Sequence, residues 1–125
     1  MLDAERLRDV ERQYGFGYPP SFCAAVDELA ALVEEPAFKA MFPQARLLWT
    51  ASDIQAARQD GLPGCLIPFL AVEYAKHTDY YCFDLERWKQ EYRVVVFAVH
   101  TGVAGWPDFR AFLTWAKQTS GAEPT

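Results

Sequence analysis

Asp79-Tyr80-Tyr81-Cys82-Phe83-Asp84-Leu85 has the alternation of a strand. Successive side chains of an extended chain point to opposite faces, which sets Tyr81, Phe83 and Leu85 on one side and Tyr80, Cys82 and Asp84 on the other. Tyr92 to Val99, with four valines, is the strongest strand of the chain. Before the quoted stretch, Cys65 to Val72 is almost continuously apolar but is interrupted by Pro68. A proline has no N–H for the ladder, so this run reads as an edge strand or a bulged one. Ala75 to Thr78 supplies a turn and Glu86 to Gln90 a polar connection.

Outside this centre the period becomes helical. Leu2, Leu7, Val10 and Tyr14 predict a first helix that Gly15 stops, since glycine accepts the left-handed conformation after a helix end. Tyr18 is held extended by the proline after it, and Pro20 suits the first turn of a second helix, whose stripe is Phe22, Val26, Leu29 and Val33. Glu34-Glu35-Pro36 ends that helix, Ala37 to Met41 adds a turn, and Arg46 to Trp49 reads as a short strand. Ser52-Asp53-Ile54-Gln55 matches the capping-box spacing and opens a helix to about Gln59. Asp60 to Gly64 is a loop. After His100-Thr101-Gly102, Pro107 and Asp108 open a last helix with Phe109, Phe112, Leu113 and Ala116 as its apolar face. The expected fold is α+β, with a mostly antiparallel sheet and the helices packed on one side. One domain is expected over residues 1–119, followed by a flexible tail over 120–125.

The 125 residues suit one domain, and 51% hydrophobic with 15% aromatic residues predicts an aromatic-rich core. No run approaches the roughly 20 apolar residues of a membrane helix. Met1-Leu2-Asp3-Ala4-Glu5-Arg6 lacks the order of a secretory signal. Cys23, Cys65 and Cys82 are odd in number and widely spaced, so they read as reduced thiols of a soluble cytoplasmic protein. A formal charge of −5 without any basic stripe argues against nucleic acid, and no membrane partner is expected. Arg6, Arg8 and Arg12 alternate with Asp3, Glu5, Asp9 and Glu11 as a solvated helix face.

Catalytic constellations fail on spacing or number. His77, Cys82 and His100 do not stand at zinc-ligand spacing, and Gly15-Phe16-Gly17 lacks the third glycine and the βαβ setting of a phosphate loop. Asp79 and Asp84 lie five residues apart on one strand. They therefore point to opposite faces roughly 17 Å apart, too far for an acid/base pair. No catalytic residue, metal or cofactor is expected.

Taken in order, several short cues resemble the SUKH superfamily, which includes the Smi/Knr-type cell-wall assembly regulators. Tyr18-Pro19-Pro20-Ser21-Phe22 is similar to that family's entry into its second helix, and Cys65-Leu66-Ile67-Pro68-Phe69 to its apolar strand ending in Ile-Pro-Phe. Asp79 to Asp84 resembles the following strand, Arg93-Val94-Val95-Val96-Phe97 stands in place of the next, and Trp106, Phe109, Phe112 and Leu113 match the closing helix. The chain differs in having no Asn-Gly-Gly after the second helix, and in Arg93 where the family has proline. The resemblance covers about Leu2 to Gln118 and implies a non-enzymatic protein-binding domain. One branch of such proteins is bacterial and of the immunity type, neutralising a cognate toxin, often a nuclease; the other consists of regulatory scaffolds with protein clients. An acidic chain suits a basic toxin domain. The contacts expected for it are acids and an aromatic near strand ends and loops: Asp53, Asp60, Glu73, Asp79, Tyr80, Asp84 and Glu86.

Overall fold

The computed structural model describes residues 4–88, 92–97 and 105–121. Its elements run α1 (Ala4–Tyr14), α2 (Pro20–Val33), α3 (Pro36–Met41), β1 (Arg46–Leu47), α4 (Ala51–Gln59), β2 (Leu66–Glu73), β3 (Thr78–Trp88), β4 (Tyr92–Phe97), β5 (Gly105–Trp106) and α5 (Phe109–Ser120). The strands form one antiparallel five-stranded sheet whose spatial order is their chain order. The fold is α+β. Glu86 to Trp88, expected in a polar connection, instead extend β3, while Leu2, the continuation of β4 to Val99, His100, Lys89 and Gln90 lie outside the described residues.

Alternation along β3 divides the molecule. Tyr81 and Phe83 face the main core with α1, α2, α3 and α5, while Tyr80 and Cys82 face a smaller cluster on the opposite side. At the centre of the main core, Phe22 of α2, Phe69 of β2, Phe83 of β3 and Phe109 of α5 are all in mutual contact. Their ring centroids lie 4.7 Å apart for Phe69–Phe83 and no more than 6.2 Å apart for any pair. Only Phe69 and Phe83 are stacked; the others meet edge-on or tilted, as ring quadrupoles favour.

Pro68 is what makes β2 irregular. Pro68 opposes Cys82 and Leu70 opposes Tyr81, so Phe69 is the extra residue of a bulge. The bulge turns two consecutive residues, Phe69 and Leu70, into the same core. β2 is nevertheless an inner strand, flanked by β1 and β3, which corrects the edge-strand alternative. β1 is too short to close the flank of β2, and other groups complete it. The Phe69 carbonyl accepts from Leu48 N at 2.9 Å and Glu73 N donates to the Pro43 carbonyl at 3.2 Å. The Leu66 carbonyl accepts from Arg58 Nη1 at 2.6 Å, and the same guanidinium also reaches the carbonyls of Pro63 and Gly64. Arg58 thereby holds the loop after α4 against the sheet. Ala57 and Leu62 then cover Cys82 and Ala71 on the face away from the main core.

Helix ends follow side-chain chemistry. Gly15 takes φ 70° after α1. Glu11 Oε2 accepts the Tyr18 N–H at 2.7 Å, tying α1 to the approach of α2. α4 begins from Thr50, not Ser52. Thr50 Oγ1 accepts Asp53 N at 3.2 Å, and Asp53 Oδ2 accepts Thr50 N at 3.3 Å. An aspartate three residues beyond a threonine completes the reciprocal pair, which leaves Ser52 inside the first turn. Asp108 caps α5 by accepting Ala111 N at 2.9 Å. α5 continues through buried Ser120 to Gly121, so the folded chain extends past residue 119. The remainder of the expected tail, 122–125, lies outside the described residues.

Replacing Phe83 by alanine removes one corner of the four-ring contact and leaves a cavity that the rigid sheet cannot close. The expected loss is about 3–5 kcal/mol. Thermal unfolding followed by circular dichroism should show the midpoint falling by about 10–20 °C. Val95→Ala, at a half-buried position on the other face, should cost about 1 kcal/mol.

Candidate partner-binding face

The face of the sheet turned away from the main core is assembled by parity. Arg46 pairs with Ala71, Ala71 with Tyr80, and Tyr80 with Phe97, so these four share it. Cys82 with Val95 and Asp84 with Arg93 continue the same face along β3 and β4. α4 and its following loop cover the part near β1 and β2. Towards β4, Val95 and Phe97 are half-buried and Arg93 is exposed.

The structure brings some of the expected contact residues together here and separates others. Asp60 ends α4 and is exposed, and its Oδ2 accepts the Tyr80 hydroxyl at 2.8 Å. Tyr80 is only 7% exposed, so its first role is to tie β3 to the end of α4. Glu73, at the end of β2, is exposed and close enough to Tyr80 to act on its ionisation. Asp84 and Glu86 lie farther along β3, and Asp84 Oδ1 accepts the Glu86 N–H at 3.0 Å, which orients its carboxylate. Glu86 itself is exposed. Asp60, Glu73, Asp84 and Glu86 are therefore the carboxylates available to a partner on this side.

Asp53 and Asp79 do not join them. Asp53 is half-buried and accepts both the Trp49 and Thr50 N–H groups, while Arg46 Nη1 lies 3.7 Å from its other oxygen. Its carboxylate is occupied by the cap. Asp79 is 0% exposed, with His77 Nε2 3.3 Å from its Oδ1 and the His77 ring stacked on Tyr74 at 5.0 Å. As a solvent-facing contact it is excluded. Asp79 shares the parity of Tyr81 and Phe83, and that parity outweighs the position at a strand end from which exposure was expected. The separation of Asp79 and Asp84 onto opposite faces stands as the alternation implied.

Two ionisable groups on this face are held protonated by burial. Burial, followed by the hydrogen bond and charge of Asp60, pushes the Tyr80 hydroxyl up to about 12, so it stays a donor. Burial likewise raises the Cys82 thiol, and Arg58 opposes this only in part. Buried thiols held protonated are inert. None of Cys23, Cys65 and Cys82 is in a disulfide. Among the described residues no group of three or more His, Cys, Asp and Glu side chains is placed to hold a metal, and no helix is long and apolar enough to cross a membrane. His100, from the discarded zinc set, lies outside the described residues.

An open depression on α1, lined by Arg8, Glu11, Arg12, Gly15 and Phe16, is built from the alternating charges of that helix. Within it Glu11 is bonded to Tyr18 N, and Arg12 is paired with Asp9.

Three features of the outer face were not legible in advance: the position of Arg93 over β5, the anchoring by Arg58, and the grouping of Val95 and Phe97 beside Tyr80. The last had a signal, since parity within Tyr92–Phe97 separates Arg93, Val95 and Phe97 from Val94 and Val96. Comparison with protein-family models, curated proteins and solved structures returns no match.

The Tyr80–Asp60 contact has a pH signature. Burial pushes the Tyr80 hydroxyl from its ordinary value up to about 12 on folding, so above the ordinary tyrosine range the folded chain keeps a proton that the unfolded chain has lost. Stability should therefore fall as pH rises through that interval. Tyr80→Phe should lose about 1 kcal/mol near neutral pH from the missing hydrogen bond. It should also show a shallower alkaline fall than wild type in urea titrations between pH 8 and 11. Parallel falls in the two proteins would remove Tyr80 as a source of the effect.

Proposed function

We propose that this chain is a non-enzymatic, cytoplasmic protein-binding domain of the immunity type, which binds a cognate basic toxin domain, a nuclease being the leading class, and neutralises it by occlusion. The observation that carries this reading is the outer sheet face. Asp60, Glu73, Asp84 and Glu86 lie along the β2–β3 side of half-buried Val95 and Phe97 on a chain of net charge −5. Apolar area flanked by oriented carboxylates suits a protein surface rich in Lys and Arg: the acids steer the encounter, and the apolar strip supplies short-range contact. The sequence resemblance to the SUKH superfamily supports the same reading. In this account the α-helical side is committed to the core.

The test uses the purified product of the gene adjacent to this one, in binding kinetics and in a growth-rescue assay. Wild type should restore growth when the two are co-expressed. The triple variant Glu73→Lys, Asp84→Lys, Glu86→Lys should associate at least about 10-fold more slowly at low salt, with the gap closing as salt is raised. Equal association rates at low salt, with both proteins folded by circular dichroism, would contradict this assignment of the face.

A further inference from the structure

The acids of the outer face account for steering, but one cation on it is placed by a separate device. Arg93 is exposed on β4, directly opposite Asp84 in the β3–β4 register. Among the described residues no ion pair joins the two. Instead the Arg93 side chain lies across to the neighbouring strand, over Gly105. A Cβ on Gly105 would sit 3.1 Å from Arg93 Nε, 3.2 Å from Arg93 Nη2 and 2.9 Å from the Val94 carbonyl oxygen. Gly105 does not adopt a left-handed φ. The glycine is required here by close approach: a side chain would meet the Val94 carbonyl oxygen first and crowd the guanidinium that lies beside it.

Arg93 is thus a guanidinium placed beside Gly105 of the neighbouring strand, with no hydrogen bond or ion pair among the described residues, on the same face as half-buried Val95 and Phe97. A long side chain that is already positioned loses less rotamer freedom on binding than one free in solvent. Guanidinium is also weakly hydrated, and its planar fork matches a carboxylate. An arginine beside apolar and aromatic groups has the composition of an interface hot spot.

Resting on the protein-binding reading above, we infer that Arg93, positioned by Gly105, is the point where the partner is held: it donates to a carboxylate on the otherwise basic partner surface while Glu73, Asp84 and Glu86 meet that partner's cations. The footprint therefore runs from the acidic rim across β4 to β5, and recognition requires one acid on the partner as well as its bases. Steering and holding then separate kinetically. Rim acids govern association, and Arg93 governs dissociation.

Surface-immobilised product of the adjacent gene, with dissociation followed at physiological salt, tests this directly. Arg93→Ala should dissociate at least 10-fold faster with its association rate and thermal midpoint little changed, and Arg93→Lys should recover only part of the loss. Gly105→Ala keeps the charge but crowds both the Val94 carbonyl and the guanidinium, and should dissociate several-fold faster with a lowered thermal midpoint. Wild-type dissociation by Arg93→Ala overturns the anchor, while the protein-binding reading survives if the triple acid variant still associates slowly. Absence of binding by the wild-type chain overturns both.

Discussion

Four phenylalanines in mutual contact are the joint on which the rest of the molecule depends. Phe22, Phe69, Phe83 and Phe109 come from α2, β2, β3 and α5, so a single cluster binds two helices to two adjacent strands. Each ring contributes large apolar area, and the edge-on geometry adds specificity that an aliphatic core lacks. Two local features set this side of the sheet. Strand alternation delivers Phe83 and, from Ile67, Phe69, and the bulge that follows Pro68 brings Leu70 to the same side. Without that extra residue, simple alternation would direct Phe69 and Leu70 to opposite faces.

Committing one side of β3 to this cluster leaves the other side with a different character. Near β1 and β2 it is closed by α4 and its loop, held by the Arg58 guanidinium on three carbonyls. Towards β4 and β5 it carries exposed Arg93 and half-buried Val95 and Phe97, with Asp84 and Glu86 along β3. The Tyr80–Asp60 hydrogen bond marks the boundary between these regions. The exposed side chains of Glu73, Glu86 and Arg93 thus lie outside the main core, and substitutions there should leave it closed.

The main elements were legible because they rest on period. The helical stripe of α2, the valine-rich β4 and the two faces of β3 are local patterns with a direct physical meaning. Features that depend on distant partners were not legible. β5 has two residues and is a strand only because Val94 and Val95 pair with it. Arg58 reads as a helix-surface cation until the loop carbonyls are folded back onto it. Thr50 does not stand out in the sequence because Ser52 and Gln55 satisfy the same capping pattern two residues later, and only the backbone decides between them. Asp79 is the instructive case: the parity used to place Tyr81 and Phe83 already implied an inward carboxylate. The grouping of Asp60 with Tyr80 required a contact across 20 residues of chain, which no local pattern reports.

The central claim, that β3 separates a sealed aromatic core from an accessible opposite face, is tested most directly by solvent paramagnetic relaxation of phenylalanine ring protons in a selectively labelled sample. A soluble gadolinium chelate should leave the Phe22, Phe69, Phe83 and Phe109 ring signals nearly unattenuated while bleaching those of Phe97. Attenuation of Phe69 and Phe83 to the same degree as Phe97 would contradict the account.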